Sequence, residues 1–143
     1  MLIHKTASAH WSGGIKDTKG TISTESGVLD AQPYGFNTRF EGGKGTNPEE
    51  LIGAAHAGCF SMALSKVLEE AGQKADSIDT SAKVTLEQKD GGFTITKVAL
   101  KTAIKVSGGD EAVIRESADK AKAGCPVSKL FNAEITLETD VEV

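Results

Sequence analysis

Cys59 and Cys125 are the only cysteines among 143 residues, and their surroundings differ as those of an attacking and a resolving thiol would. Cys125 stands directly before Pro126, at the expected start of a helix whose unpaired N–H groups stabilise a thiolate. Cys59 lies in an apolar run about a dozen residues into its helix, beyond the reach of the macrodipole, where burial raises a thiol pKa. As a nucleophile it needs a cation. On the residues alone Cys125 is the more acidic thiol, and an inert packed cysteine is the alternative at either position.

Arginine occurs only at positions 39 and 115. Arg115 shares a polar helical stretch with Glu116 and Lys120 and reads as a solvated residue. Arg39 is flanked by Phe36 and Phe40, aromatics that would anchor the backbone and aim the guanidinium. Such a planar, permanently charged fork suits both a desolvated thiolate and a peroxide oxygen. Glu49 and Glu50 are first-turn acids. About 15 Å of regular helix separates Glu49 from Cys59, so its carboxylate can orient Arg39 from the far side but cannot touch the thiol. Phe36, Phe40, Phe60 and Met62 are candidate apolar walls for a substrate site. His56, one turn before Cys59, could serve a cysteine hydrolase, although such dyads draw their histidine from a distant segment. His4 and His10 lack metal-ligand spacing, the cysteines form no C-x-x-C pair, and phosphate loops and dinucleotide fingerprints are missing, so neither metal nor cofactor is expected.

The elements that must position these groups are legible as two kinds of pattern. Strict alternation runs through residues 80–88, 93–106 and 133–143 and predicts a sheet with one wet face, which favours antiparallel pairing. Asp90, Gly91 and Gly92 would close a hairpin between the first two. Lys97, Lys101 and Lys105 line the polar face of one strand, and Glu134, Glu138, Asp140 and Glu142 that of another, charges that complement each other if the strands are neighbours. Helices are predicted from Asn47 as N-cap, with Pro48 at N1, to Gly72, then over 110–123 ending at Gly124, and over 126–131. Residues 51–64 are apolar or small on nearly every side, so that helix should be buried in the middle of something. Weak strands at 5–11 and 20–25 are all that residues 1–45 offer. Such a segment needs a partner surface, from the rest of a single 1–143 domain or from a second subunit.

Composition bounds the class. Lys+Arg 16 against Asp+Glu 20 gives a formal charge of −4 without a basic stripe, which argues against nucleic acid and anionic membrane as partners. Residues 1–11 hold no signal-like stretch, and the run 51–64, interrupted by His56, is too short to span a bilayer. The expected location is the cytoplasm, where two cysteines stay reduced or cycle.

The stretches Gln32-Pro33-Tyr34-Gly35-Phe36-Asn37-Thr38-Arg39-Phe40, Gly45-Thr46-Asn47-Pro48-Glu49-Glu50-Leu51, Ala54-Ala55-His56-Ala57-Gly58-Cys59-Phe60-Ser61 and Ala121-Lys122-Ala123-Gly124-Cys125-Pro126-Val127-Ser128 closely resemble the osmotically inducible protein C / organic hydroperoxide resistance family. The resemblance is to its osmotically inducible protein C branch and covers essentially the whole chain. It implies an α+β fold, an intertwined homodimer with antiparallel sheets packed around long buried central helices. It also implies a thiol peroxidase that reduces organic hydroperoxides with no metal, haem or flavin, and that is itself reduced by dithiols, notably lipoyl groups on proteins. Cys59 matches the peroxidatic position and Cys125 the resolving one. Arg39 matches the arginine that activates the thiol, in cis or in trans, and Glu49 the carboxylate that holds it. The implied route passes through a Cys59 sulfenic acid and a Cys59–Cys125 disulfide. The implied attacker is therefore not the thiol that the residues alone make more acidic, and the two readings agree only if Arg39 lies over Cys59. A redox-switched binding or sensing protein and a His56-dependent cysteine hydrolase are the competing classes.

Overall fold

Over Met1–Val143, all of which the computed structural model describes, the chain divides into two units, Met1–Leu51 and Ile52–Val143. The first holds β1 (Ala7–His10), β2 (Lys19–Thr24) and β3 (Gln32–Gly35) in an antiparallel sheet of order β1-β2-β3, followed by the short helix α1 (Phe36–Phe40). β1 and β2 fall where weak strands are expected. β3 escapes the alternation pattern because it carries Pro33, which a sheet accepts at an edge such as this one. The polar composition has its structural counterpart: the unit buries only Gly20, Gly35, Thr38 and Thr46.

The long helix α2 (Pro48–Glu70) starts and stops where its signals stand. Asn47 Oδ1 accepts the Glu50 amide at 2.8 Å, and the far end closes with the Gly72 amide on the Glu69 carbonyl (3.0 Å) and the Gln73 amide on that of Leu68 (2.8 Å). β4 (Ser77–Lys89) and β5 (Gly92–Lys105) then pair antiparallel. Asp90 and Gly91 between them have φ of 50° and 80°, the left-handed pair that a two-residue hairpin turn requires. Two further helices, α3 (Glu111–Gly124) and α4 (Pro126–Leu130), lead to β6 (Glu134–Glu142).

β6 runs parallel to β5, which corrects the all-antiparallel expectation. Alternation reports that one face is buried and is silent on direction. The α3–α4 crossover returns the chain to the same end of the sheet, as parallel neighbours require. The charge complementarity is realised in this register: Lys97, Lys101 and Lys105 stand opposite Glu134, Glu138 and Glu142, with Lys101–Glu138 at 3.4 Å and Lys105–Glu142 at 3.2 Å. Both pairs are exposed and fix register more than stability.

The core of the second unit joins Phe60, Leu64 and Leu68 of α2 to Val98, Leu100 and Ile104 of β5 and to Ile114, Ala118 and Ala121 of α3. Gly53, His56, Phe60, Leu64 and Leu68 make a single buried stripe, while Ala54, Ala55, Gly58 and Met62 lie exposed on the other side. Burial on all sides is therefore not reached within one chain. The helix also extends past the apolar run: it has 23 residues and a mean hydropathy of 1.4 over its most apolar window, long and apolar enough to cross a membrane.

Leu64→Ala should lower unfolding free energy by about 2–5 kcal/mol through the cavity it leaves, read from a urea titration. Lys101→Ala should leave the urea midpoint unchanged.

Candidate active site

The Cys125 site follows from a break in one helix. Pro126 cannot continue α3, so α3 ends and α4 begins at Cys125, which caps both. The Cys125 amide still donates to the Ala121 carbonyl at 2.9 Å, while its Sγ accepts from the Ser128 amide at 3.4 Å and the Ser128 hydroxyl at 3.5 Å. The residue is 0% exposed.

Cys59, on α2, is half-buried. It lines a cavity of about 530 Å³ whose other walls are mainly apolar: Met62, Ala63 and Val67 of α2, Ala121 of α3 and Pro126, with Lys66 and Lys120 adding cationic ends. Both cysteines are free, and the two thiols are near enough to influence each other's ionisation. Burial pushes the Cys59 thiol pKa up, the Val127 amide opposes this, and the neighbouring Cys125 thiol adds to the rise. Burial also opposes ionisation of Cys125, but the Ser128 hydroxyl and amide, the Cys59 thiol and the Val127 amide outweigh it and bring that pKa below its ordinary value. In the chain by itself Cys125 is thus the more acidic thiol, as its position before Pro126 implies.

Arg39 and Glu49 meet in the first unit. Arg39 Nε donates to both carboxylate oxygens of Glu49 at 3.0 and 3.1 Å, and Nη2 completes the clamp. The guanidinium carbon lies 5.4 Å from the centroid of the Phe40 ring, which packs against Phe36 at 4.9 Å. Thr38 ties the start of α1 by accepting the Gly35 amide at 2.8 Å and donating to the Gly35 carbonyl at 3.0 Å. Gly45 lets the next segment come close: at φ +131° any Cβ would sit 2.4 Å from the Pro33 carbonyl oxygen, which accepts the Thr46 amide at 2.9 Å. That approach carries Glu49, at the start of α2, to Arg39.

The remaining candidates divide. Met62 lines the Cys59 cavity. Phe60 does not, because the next position along a helix points about 100° away, and its ring is 0% exposed in the core. Phe36 and Phe40 form the aromatic support of Arg39. His56 does not serve Cys59 as a hydrolase would require. Its Nε2 lies 2.7 Å from Ser128 Oγ, its ring meets Phe131 edge-on at 5.2 Å, and its buried Nδ1 has no partner. Ser128 is the functional candidate that the sequence reading misses. The available signal was its place three residues after a cysteine N-cap, where helix caps receive their hydrogen bonds.

Known proteins share this arrangement of elements. The family described as OsmC-like protein matches residues 41–140. Peroxiredoxin OsmC of Escherichia coli K12 is 64% identical over 138 residues, 96% of each chain. Organic hydroperoxide resistance protein OhrB of Bacillus subtilis is 31% identical over 124 residues, 86% of this chain and 89% of the relative. The crystal structure of OhrB superposes with a TM-score of 0.72, covering 99% of this chain and 100% of that one.

His56 supplies a pH signature. Burial lowers its pKa, so the unfolded chain takes up the imidazole proton first as pH falls. Its contribution to stability is complete above about pH 6.5 and is lost as pH drops from there towards the lowered folded value. The urea midpoint should therefore fall between neutral pH and mildly acidic pH, and should fall less in His56→Gln.

Proposed function

Because the chain belongs to the OsmC-like family and is a cysteine-based peroxidase, we propose that its substrates are organic hydroperoxides, reduced through a Cys59 sulfenic acid and a Cys59–Cys125 disulfide. The observation that carries this reading is the contact between two reduced thiols in unlike settings. Cys59 opens on an apolar cavity, and Cys125 is buried beside it on a helix cap. A peroxide can reach the first, and the second can reach the product without solvent access.

The Cys59 thiolate attacks the distal peroxide oxygen, the O–O bond breaks, and the alkoxide leaves as an alcohol after taking a proton. The sulfenic sulfur is then attacked by the Cys125 thiolate. An S–S bond forms, the S–O bond breaks, and the hydroxide departs as water. An external dithiol, such as a lipoyl group on a protein, restores both thiols by exchange.

Burial raises the Cys59 pKa, so the first step needs a cation. Arg39, with its fork already held by Glu49, is the residue suited to the task. In this reading the working protein is an intertwined homodimer in which Arg39, from the same or the partner subunit, comes over Cys59. The exposed face of Ala54, Ala55, Gly58 and Met62 supports a partner, as does the meagre core of residues 1–51.

Cys59→Ser should abolish consumption of cumene hydroperoxide. Cys125→Ser should consume about one equivalent per site and leave a sulfenic acid that dimedone traps. Most of the activity kept in Cys59→Ser and lost in Cys125→Ser would reverse the two roles.

Since each buried methylene contributes about 0.8 kcal/mol, a bulky hydroperoxide should exceed hydrogen peroxide about a hundredfold in kcat/KM. Equal efficiency on both would contradict an apolar substrate site.

Sedimentation velocity should report a dimer, and Ala55→Asp, which charges the exposed apolar face, should shift it to monomer.

A further inference from the structure

Ser128 has one hydroxyl proton and two neighbours able to take it. Its Oγ lies 2.7 Å from His56 Nε2 and 3.5 Å from Cys125 Sγ. We propose that His56, held neutral with its proton on Nε2, is a positioning residue for Cys125: it donates to Ser128 Oγ and thereby commits the serine proton to the cysteine sulfur. This rests on the resolving role given to Cys125 above and extends it to two residues that touch neither peroxide nor Cys59.

The surroundings of the imidazole select that form. Nδ1 is buried without a partner, and an acceptor lone pair left without a donor is a smaller loss there than an N–H with no acceptor. The other neutral tautomer puts a proton on Nδ1 and leaves Nε2 to draw the serine proton away from the sulfur. The charged form also puts a proton on Nδ1, and it buries a cation in a site that is 0% exposed and packed edge-on against Phe131. With Nε2 as donor, each hydrogen in the line has an acceptor: imidazole to serine oxygen, serine to sulfur. The Ser128 amide, 3.4 Å from Sγ, is a second donor to the same atom.

The groups that face the Cys125 thiol are few. From α2 comes the Cys59 thiol, and from α4 the hydroxyl and amide of Ser128 and the amide of Val127. The third neighbouring element, α3, supplies the Ala121 carbonyl, which accepts from the Cys125 amide. His56 reaches the sulfur only through Ser128. Its effect therefore falls on the second chemical step, in which Cys125 gives up its proton, forms the S–S bond and releases water. Any effect on the attack on peroxide passes only through the influence of the Cys125 thiol on Cys59.

The tautomer can be read without mutation, from long-range nitrogen–proton correlations of His56 in the reduced protein. Protonation at Nε2 is expected, and protonation at Nδ1 overturns the proposal. In a Cys59→Ser background the ultraviolet absorbance of the remaining thiolate reports Cys125 directly. Ser128→Ala and His56→Leu should each raise its pKa by about one unit, while His56→Gln, whose side-chain amide can still donate to Ser128, should restore most of the shift. With Cys59 present, disulfide formation after a single peroxide pulse should slow about tenfold in the first two variants, with sulfenic acid formation changed far less. A Cys125 pKa that moves in Ser128→Ala and stays put in His56→Leu overturns the positioning role. Should His56→Leu fail to fold, the tautomer and the His56→Gln titration still decide. Sustained turnover by Cys125→Ser would remove the resolving role, and it is distinguishable because neither the tautomer nor the titration depends on peroxidase activity.

Discussion

Pro126 forces a single residue, Cys125, to end α3 and begin α4, and the chemistry of the second unit hangs on that break. A continuous helix would carry the residue-125 side chain along α3 and leave no free amides to meet it. The break turns its sulfur towards the first turn of α4, gives it the Ser128 donors and sets it against Cys59 on α2. The same residue belongs to the hydrophobic core. The two thiols are therefore held by the packing that holds the fold.

That arrangement sets an acidity order opposite to the one the proposed route needs. Hydrogen bonds favour the Cys125 thiolate, and burial disfavours that of Cys59. For the resolving role proposed for Cys125 the bias is useful, because on that route Cys125 ionises next to a freshly formed sulfenic acid. If Cys59 attacks first, as proposed, its reactivity has to be supplied from outside its own helix. Arg39 is the residue proposed for this, and Glu49 and the Phe40 ring fix its guanidinium. A peroxidase whose attacking thiol is acidic only when the arginine is in place would keep Cys59 in the less reactive thiol form until the site is assembled.

Much of this was legible in the sequence because the signals are local. Asn47 and Gly72 bracket α2, the Asp90-Gly91 turn closes β4 onto β5, and alternating lysines and glutamates anticipate the β5–β6 register. What was not legible depends on direction or on three dimensions. The parallel sense of β6 comes from the crossover that precedes it. The core position of Phe60 follows from the face of α2 that meets the sheet, and an apolar run cannot reveal which face that is. The pairing of His56 with Ser128 joins residues 72 apart, and no spacing rule links them. The residues alone left Glu49 an ordinary first-turn acid with the option of orienting Arg39, the family resemblance made the pairing an expectation, and Gly45 makes their meeting possible.

The central claim is that Arg39 inverts the acidity order of the two thiols. It is tested most directly by titrating Cys59 as the only cysteine, in Cys125→Ser, with Arg39 intact and with Arg39→Met. The account predicts that Cys59 ionises well below the ordinary thiol value of about 8.5 when Arg39 is intact and above it in the methionine variant. A Cys59 that titrates above that value in both proteins would contradict it.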